Sequence, residues 1–256
     1  MDWSSGQYSK FEAERSRPAA DLLARVATEG VASVVDLGCG PGNSTELLAM
    51  RFPQARIVGL DLSDDMLAAA RARLPTVDFR RQDIATWTPE APPDVIFANA
   101  SLQWVPDHAT LFPALLAALS KGGSLAVQMP DNLDEPTHRL MRTIAADGPW
   151  AGKLAGVEGE RAGRQDAVWY YSLLGRRGAA AIDIWRTTYH HPLAGAGAIV
   201  EWLKGTGLRP YLARLAPDET EAFLDRDRAG IEEAYPALPG GTVLLPFPRL
   251  FVVATA

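Results

Sequence analysis

The segment Asp36-Leu37-Gly38-Cys39-Gly40-Pro41-Gly42-Asn43 has the residue types and spacing that most directly imply chemistry in this chain. Alternate glycines let a backbone turn tightly and approach a ligand closely. Asp61 stands at the end of the next apolar run, where a carboxylate can accept hydrogen bonds from ribose hydroxyls. Together they predict a site for a nucleoside-bearing cofactor. A plainer reading of the same residues is a sharp strand-to-helix turn, with Asp61 as a helix-start acid. The dinucleotide fingerprint G-x-G-x-x-G places a third glycine where the helix packs on the strand. Counted from Gly38, that position is Asn43. The spacing here is instead Gly38-x-Gly40-x-Gly42, with Asp36 two residues ahead.

Alternating strands and helices must hold these residues. Ser33–Leu37 reads as a buried strand stopped by Gly38, and Asn43 as the cap of the next helix, with Glu46 as its capping-box partner. Arg56–Leu60 is a second strand ending in Asp61, and Ser63 opens an Ala-rich helix that runs to about Arg73. Thr76–Phe79 and Asp94–Ala98 read as the third and fourth strands. Asp107 caps a helix with Leu111, Phe112, Leu115, Leu116 and Leu119 on one face, and Ser124–Val127 is the fifth strand. Near-continuous apolar strands in βα alternation imply a parallel sheet covered on both faces. Ligands of such sheets sit at the carboxyl ends of the strands.

After Met129 the pattern changes. Asp134–Ala146 looks helical, Asp147–Arg164 is a Gly-rich loop, and Trp169–Leu174 is a short helix. Ala180–Tyr189 is strand-like, and helices follow near Ala198–Lys204 and Pro217–Ala234. Thr242–Val253 is a final strand interrupted by Pro246 and Pro248, read as pairing antiparallel with Ala180–Tyr189 at the sheet edge, where proline is tolerated. The expected fold is α/β, a doubly wound, mostly parallel seven-stranded sheet with an antiparallel edge hairpin and a small helical cap from the C-terminal half. The expected organisation is one domain over 1–256, with an N-terminal helical lid (1–30), a cofactor-binding core (31–130), and cap insertions plus the final strands (131–256).

Composition narrows the function. The 256 residues carry 25 Lys+Arg against 31 Asp+Glu, a formal charge of −6, and there is no basic run. That balance argues against nucleic acid as a partner. No apolar run approaches the ~18 residues that suggest a membrane span. Met1–Ser5 lacks a basic region followed by an apolar one, so a cytoplasmic location is expected. The single cysteine, Cys39, forms no internal disulfide and no Cys-based zinc cluster. His190 and His191 are adjacent on a strand, so their side chains diverge, and no metal site is expected.

The Asp36–Asn43 spacing resembles motif I of the class I S-adenosylmethionine (SAM)-dependent methyltransferases, a Rossmann-like family. The resemblance implies SAM as cofactor and S-adenosylhomocysteine as product. It implies that Gly38, Gly40 and the helix start at Asn43 border the methionyl part, with Asp36 near its amino group. It also implies that Asp83-Ile84 meet the adenine edge and that Leu62 and Met66 pack on its faces. Asn99 and Ala100 then lie where the methyl group points. Further segments are similar to the bacterial trans-aconitate 2-methyltransferase family: Phe11–Ala19, Phe97–Trp104, Ala126–Asn132, Glu135–His138, Asp183–His190, Thr206–Tyr211 and Phe247–Ala254. The stretch Asp147–Arg164 matches least. This resemblance implies methylation of a carboxylate of trans-aconitate.

The chemistry such a reaction needs is modest. A carboxylate has a pKa of about 4 and is already an ionised nucleophile at neutral pH. No general base is therefore expected, and catalysis rests on proximity and in-line orientation. A small tricarboxylate needs cationic forks and neutral donors. Arg15, Arg186 and Arg209 are the candidate forks. His108, Gln103, Tyr8 and Tyr189 are the candidate donors, with Trp104 as a pocket wall. Each arginine could equally pair with a surface acid or brace a turn. A monomer or weak dimer is expected. Competing readings are a methyltransferase for a carrier-linked malonyl or quinone-precursor acceptor, an NAD-dependent oxidoreductase, and a non-catalytic SAM-binding module.

Overall fold

The computed structural model of the chain describes residues 12–157 and 164–256. The described chain divides into two compact units. The first comprises residues 12–130, 164–186 and 250–256, and the second residues 131–157 and 187–249.

The first unit is the βα alternation expected from the sequence. It runs α1 (Glu12–Leu23), β1 (Ser33–Leu37), α2 (Asn43–Arg51), β2 (Arg56–Asp61), α3 (Asp64–Arg73), β3 (Asp78–Arg81), β4 (Val95–Asn99), α4 (His108–Ala117) and β5 (Ser124–Pro130). Helix α7 (Ala167–Arg176) also belongs to it. Strands β1 to β5 pair in parallel, with Val35 opposite both Val58 and Ile96. The residues of β4 and β5 are buried almost without interruption, as a sheet covered on both faces requires. The apolar stripe predicted for α4 is buried throughout, and Phe112 has no exposed surface. Burying such a side chain is worth about 1.5–3 kcal/mol. Phe112 packs on Tyr170 of α7, ring centroids 4.7 Å apart.

Two long strands complete the sheet, β6 (Ala181–Leu193) and β7 (Val243–Thr255), in the order β3-β2-β1-β4-β5-β7-β6. They form the expected antiparallel pair. β7 is nevertheless an interior strand between β5 and β6, and the edge belongs to β6. Its prolines are accommodated for a different reason than edge position: proline lacks a donor but keeps its acceptor, and the Pro248 carbonyl accepts the Asp131 N–H (2.8 Å).

The second unit holds α5 (Pro136–Ala146), α6 (Ala151–Leu154), α8 (Ala196–Lys204), α9 (Arg209–Leu212) and α10 (Pro217–Ala234). Helix α10 packs on α5 and α8. Residues 147–157, expected as loop, are more ordered than their glycines suggest. Trp150 is buried against Phe223 and its Nε1–H donates to the Ile144 carbonyl (2.7 Å), anchoring α6. Residues 158–163 of that stretch lie outside the described residues. Among the described residues, no helix is long and apolar enough to cross a membrane.

Candidate active site

The glycine-rich turn lies at the carboxyl end of β1, with its backbone pinned to β2. Gly38 and Cys39 both donate their N–H groups to the Leu60 carbonyl (2.8 and 2.9 Å). Gly38 has φ +73, and a Cβ there would fall 2.3 Å from the Ser101 Cβ. Only glycine fits this position. Ser101 is held against the turn by its hydroxyl, which donates to the Leu37 carbonyl (2.6 Å). Around Gly40 (φ +53) an added Cβ would meet nothing within 4 Å.

The helix start differs from the expected capping box. Gly42 is the N-cap of α2, in a left-handed conformation (φ 90) with no side-chain cap, and Asn43 is already helical. The turn needs a positive φ just before the helix, which glycine supplies and asparagine would supply at a cost. Glu46 is therefore not a capping partner; its carboxylate pairs with Arg73 (3.0 Å) and ties α2 to α3.

Asp36 is completely buried beneath the turn. Its Oδ2 accepts from the hydroxyls of Ser44 (2.8 Å) and Thr45 (2.7 Å) in the first turn of α2. Burial pushes the carboxyl up to about 6. The two hydroxyls offset part of that rise and the nearby Asp61 charge adds to it. Ser44 and Thr45 were not singled out from the sequence. Two consecutive hydroxyl residues opening the helix after an acid-bearing strand were the available signal.

Asp61 ends β2 with both oxygens engaged. Oδ2 accepts the Gly40 N–H (3.0 Å) and Oδ1 the Ser63 N–H (2.9 Å). Each carboxylate oxygen keeps a second acceptor site. Ser63 in turn caps α3 as expected, accepting from Met66 N–H. Leu62 projects outward with 54% of its surface exposed, whereas Met66 is buried. Asp83 is exposed and caps the short 3₁₀ turn Ile84–Thr86, its carboxylate accepting the Ala85 N–H (2.9 Å). The Ile84 side chain also reaches the turn, 3.6 Å from where a Gly38 Cβ would stand.

At the end of β4 the backbone is strained. Ala100 has φ 55, a conformation that costs a non-glycine residue roughly 1–2 kcal/mol. Its N–H donates to the Gln128 carbonyl (2.9 Å), and its own carbonyl accepts from Gln103 Nε2 (2.7 Å). Gln103 and Trp104 follow in the 3₁₀ turn Leu102–Trp104.

Several acceptor oxygens around this turn are buried without donors. Asp36 Oδ1, Asn43 Oδ1, Asn99 Oδ1 and Gln103 Oε1 are buried with no hydrogen-bond donor among the described residues. All four are acceptors at the carboxyl-terminal part of β1 or β4 or on the segments that follow them. A buried polar group left unpaired costs about 1–3 kcal/mol. A ligand bearing N–H donors and positive charge matches this set. A cavity of ≈ 20 Å³ lined by Ser16, Ala19, Gly38, Gly40, Asn43 and Asn99 opens at the turn. A larger cleft of ≈ 250 Å³, lined by Val34, Val58, Arg80 and Trp87 among others, contains none of the turn's residues.

A methyltransferase-domain family model matches residues 34–123, the span that carries this rim. Along its whole length the chain is similar to curated proteins named trans-aconitate 2-methyltransferase. It is 56% identical to that of Methylobacterium radiotolerans, covering 99% of this chain and 98% of the relative. It is 53% identical to that of Variovorax paradoxus (99% and 98%) and 54% identical to that of Yersinia pestis (100% and 99%). The chain belongs to the trans-aconitate 2-methyltransferase family.

Solved structures agree at the level of the fold. The YcgJ protein of Bacillus subtilis superposes with a TM-score of 0.59 at 12% identity, covering 93% of this chain and 98% of that one. Phosphoethanolamine N-methyltransferase 2 of Haemonchus contortus, solved with S-adenosylhomocysteine, gives 0.56 at 16% identity. The match covers 93% of this chain and 52% of that enzyme, about half its length.

The acceptor-side candidates of this methyltransferase fall in both units. Gln103, Trp104, His108 and Arg186 lie in the first, and Tyr189 and Arg209 in the second. Tyr8 lies outside the described residues, and Arg15 is within α1. Arg186 is exposed on β6, and its neighbour Trp185 turns to the other face to stack on Phe251 (4.7 Å, 7°). Tyr189 is buried and Arg209 half-buried.

His108 requires a correction. It is 2% exposed and both ring nitrogens are engaged inside the first unit, Nδ1 by the Tyr170 hydroxyl (2.5 Å) and Nε2 by the Leu102 carbonyl (2.8 Å). It braces the 3₁₀ turn and has no nitrogen left for an acceptor. The partner is 62 positions away in sequence, so no local pattern reveals the pair. The sequence reading also passed over Arg249, a guanidinium buried to 4% exposure in the second unit, 4.8 Å over the Phe247 ring.

Proposed function

We propose that this protein transfers the methyl group of SAM to a carboxylate of trans-aconitate, giving a monomethyl ester and S-adenosylhomocysteine. The observation that carries the cofactor half is the set of donorless acceptor oxygens on the rim, Asp36 Oδ1, Asn43 Oδ1, Asn99 Oδ1 and Gln103 Oε1. The full-length relatives' name supports the acceptor half.

When bound, SAM supplies an activated methyl group on a positively charged sulfur. The rest is done by residues of the chain. Asp36 and Asn43 face the methionyl amino group, with Gly38 and Gly40 giving it room. Asp61 uses its remaining acceptor sites for the ribose hydroxyls. Leu62, Met66 and Ile84 flank the adenine, and Asp83 meets its amino edge. Asn99 and Ala100 border the methyl group, and Gln103 and Trp104 bound the space beyond it. The candidates for the other carboxylates are those the sequence offers, Arg15, Arg186 and Arg209 as cations and Tyr8 and Tyr189 as neutral donors. The attacking carboxylate is ionised at neutral pH, so no side chain need remove a proton. Orientation is the main contribution, an effect that can reach about 7–11 kcal/mol. The reading is of a cytoplasmic enzyme acting on a small tricarboxylate as a monomer or weak dimer.

The test is direct. Purified protein is incubated with SAM and trans-aconitate and the products are read by mass spectrometry. A monomethyl ester with stoichiometric S-adenosylhomocysteine is the expected result. SAM binding without ester would retain the cofactor reading and remove the acceptor, and carrier-linked malonyl acids would be screened next.

Asp61→Asn is expected to weaken SAM binding. The amide loses the charge that strengthens bonds to ribose and to the Gly40 N–H, worth about 1.5–3 kcal/mol per charged hydrogen bond. That corresponds to a rise in Kd of roughly 10- to 100-fold. Calorimetry measures it, and an unchanged Kd would take Asp61 out of the ribose role.

A further inference from the structure

Tyr170 is fully buried in α7, and packing alone does not account for its hydroxyl. The ring contacts Phe112 (4.7 Å) and Trp169 (5.1 Å, edge-on), and phenylalanine would serve as well for both. The hydroxyl, by contrast, is used in two directions. It accepts the Gln165 N–H (3.1 Å) and lies 2.5 Å from His108 Nδ1.

The direction of each bond follows from the far end. His108 Nε2 is 2.8 Å from the Leu102 carbonyl, and a carbonyl can only accept. Nε2 therefore carries the hydrogen. In a neutral imidazole Nδ1 is then the acceptor, and Tyr170 donates to it. Burial lowers the His108 pKa, which favours the neutral ring. The result is a directed chain: Gln165 N–H to Tyr170, Tyr170 O–H to His108, His108 Nε2–H to Leu102.

Leu102 opens the 3₁₀ turn that carries Gln103 and Trp104. The same segment is tied twice more, by Ser101 Oγ to the Leu37 carbonyl and by Gln103 Nε2 to the Ala100 carbonyl. The Tyr170–His108 chain is thus one of the side-chain tethers, among the described residues, on the segment after β4.

We propose that Tyr170 is a positioning residue for methyl transfer: acting through His108, it fixes the Leu102–Trp104 turn and so the placement of Gln103 and Trp104 beside the reacting groups. The proposal rests on the reading that this turn borders the methyl donor.

Tyr170→Phe keeps the ring and removes the hydroxyl. The expected result is a kcat lowered about tenfold, the equivalent of one buried hydrogen bond, with the Kd for SAM raised far less than kcat falls, because Gln103 is one of four acceptors on the rim and Asp36, Asn43, Asp61 and the glycine turn stand outside the chain. His108→Gln supplies the second arm of a double-mutant cycle, since its amide can still donate to Leu102 without needing Tyr170. In that background Tyr170→Phe is expected to have no further effect. A Tyr170→Phe enzyme with wild-type kcat, or one whose loss is undiminished in the His108→Gln background, would overturn the proposal.

Nitrogen NMR of His108 in the full-length protein tests the chain without any turnover. Nε2–H is expected in the wild type, with tautomers mixing in Tyr170→Phe. An Nδ1–H ring in the wild type overturns the proposal. If the wild type binds SAM but does not methylate trans-aconitate, the acceptor reading falls, and the NMR result alone then decides the chain.

Discussion

Gly38→Ala is expected to abolish measurable SAM binding and to lower stability by about 3 kcal/mol or more. Two causes add. The left-handed backbone at Gly38 (φ +73) costs an L side chain roughly 1–2 kcal/mol. The new methyl would also stand 2.3 Å from the Ser101 Cβ, which something must move to relieve. Ser101 is fixed by its bond to the Leu37 carbonyl and Gly38 by its bond to the Leu60 carbonyl, so relief breaks one or both. Either movement shifts the turn relative to Asp61, whose carboxylate is bonded to Gly40. Calorimetric titration with SAM and a urea melt measure the two effects. The double variant Gly38→Ala/Ser101→Gly removes the clash and keeps the backbone strain, so it should recover part of the stability. Wild-type binding and melting in the single variant would show that the turn is not the cofactor's seat.

The second large effect is a gain. Asp227 is completely buried on the face of α10 that includes Phe223 and Ile231. Neither carboxylate oxygen has a hydrogen-bond partner among the described residues, and burial pushes the pKa up to about 7. The unfolded carboxyl titrates near about 4. Between those values the folded state holds a proton that the unfolded state releases, so stability falls as pH rises through this window and stays low above it. At about 1.4 kcal/mol per pH unit, the buried charge costs on the order of 4 kcal/mol at pH 8. Asp227→Asn has nearly the same shape and no charge to bury. It is expected to raise unfolding stability at pH 8 by roughly 3–4 kcal/mol and to leave it nearly unchanged at pH 4. Denaturant melts at the two pH values read this directly. An equal effect at both, or none at pH 8, would mean that water or a counter-ion reaches the carboxylate.

What the residues alone could say, they said where the signal is short-ranged. The order of strands and helices through Pro130 follows from apolar runs and stripes, because period-2 and period-3.6 burial is a local property of backbone geometry. The turn Gly38–Gly42 and Asp61 were legible because a tight approach and an acid after a strand have few substitutes. Ser63 and Asp107 were legible as caps because their bonds reach three residues along the chain. Tertiary structure alone decided the rest. It moved the start of α2 one residue, because the backbone needed a positive φ at Gly42 before the helix began. It turned His108 from a candidate donor into a brace, because the Tyr170 hydroxyl comes from a distant helix. It put β7 inside the sheet, where the Pro248 carbonyl accepts the Asp131 N–H. It left four acceptors on one rim and a carboxylate inside α10's packed face without donors, and pairing across elements is information that no single segment contains.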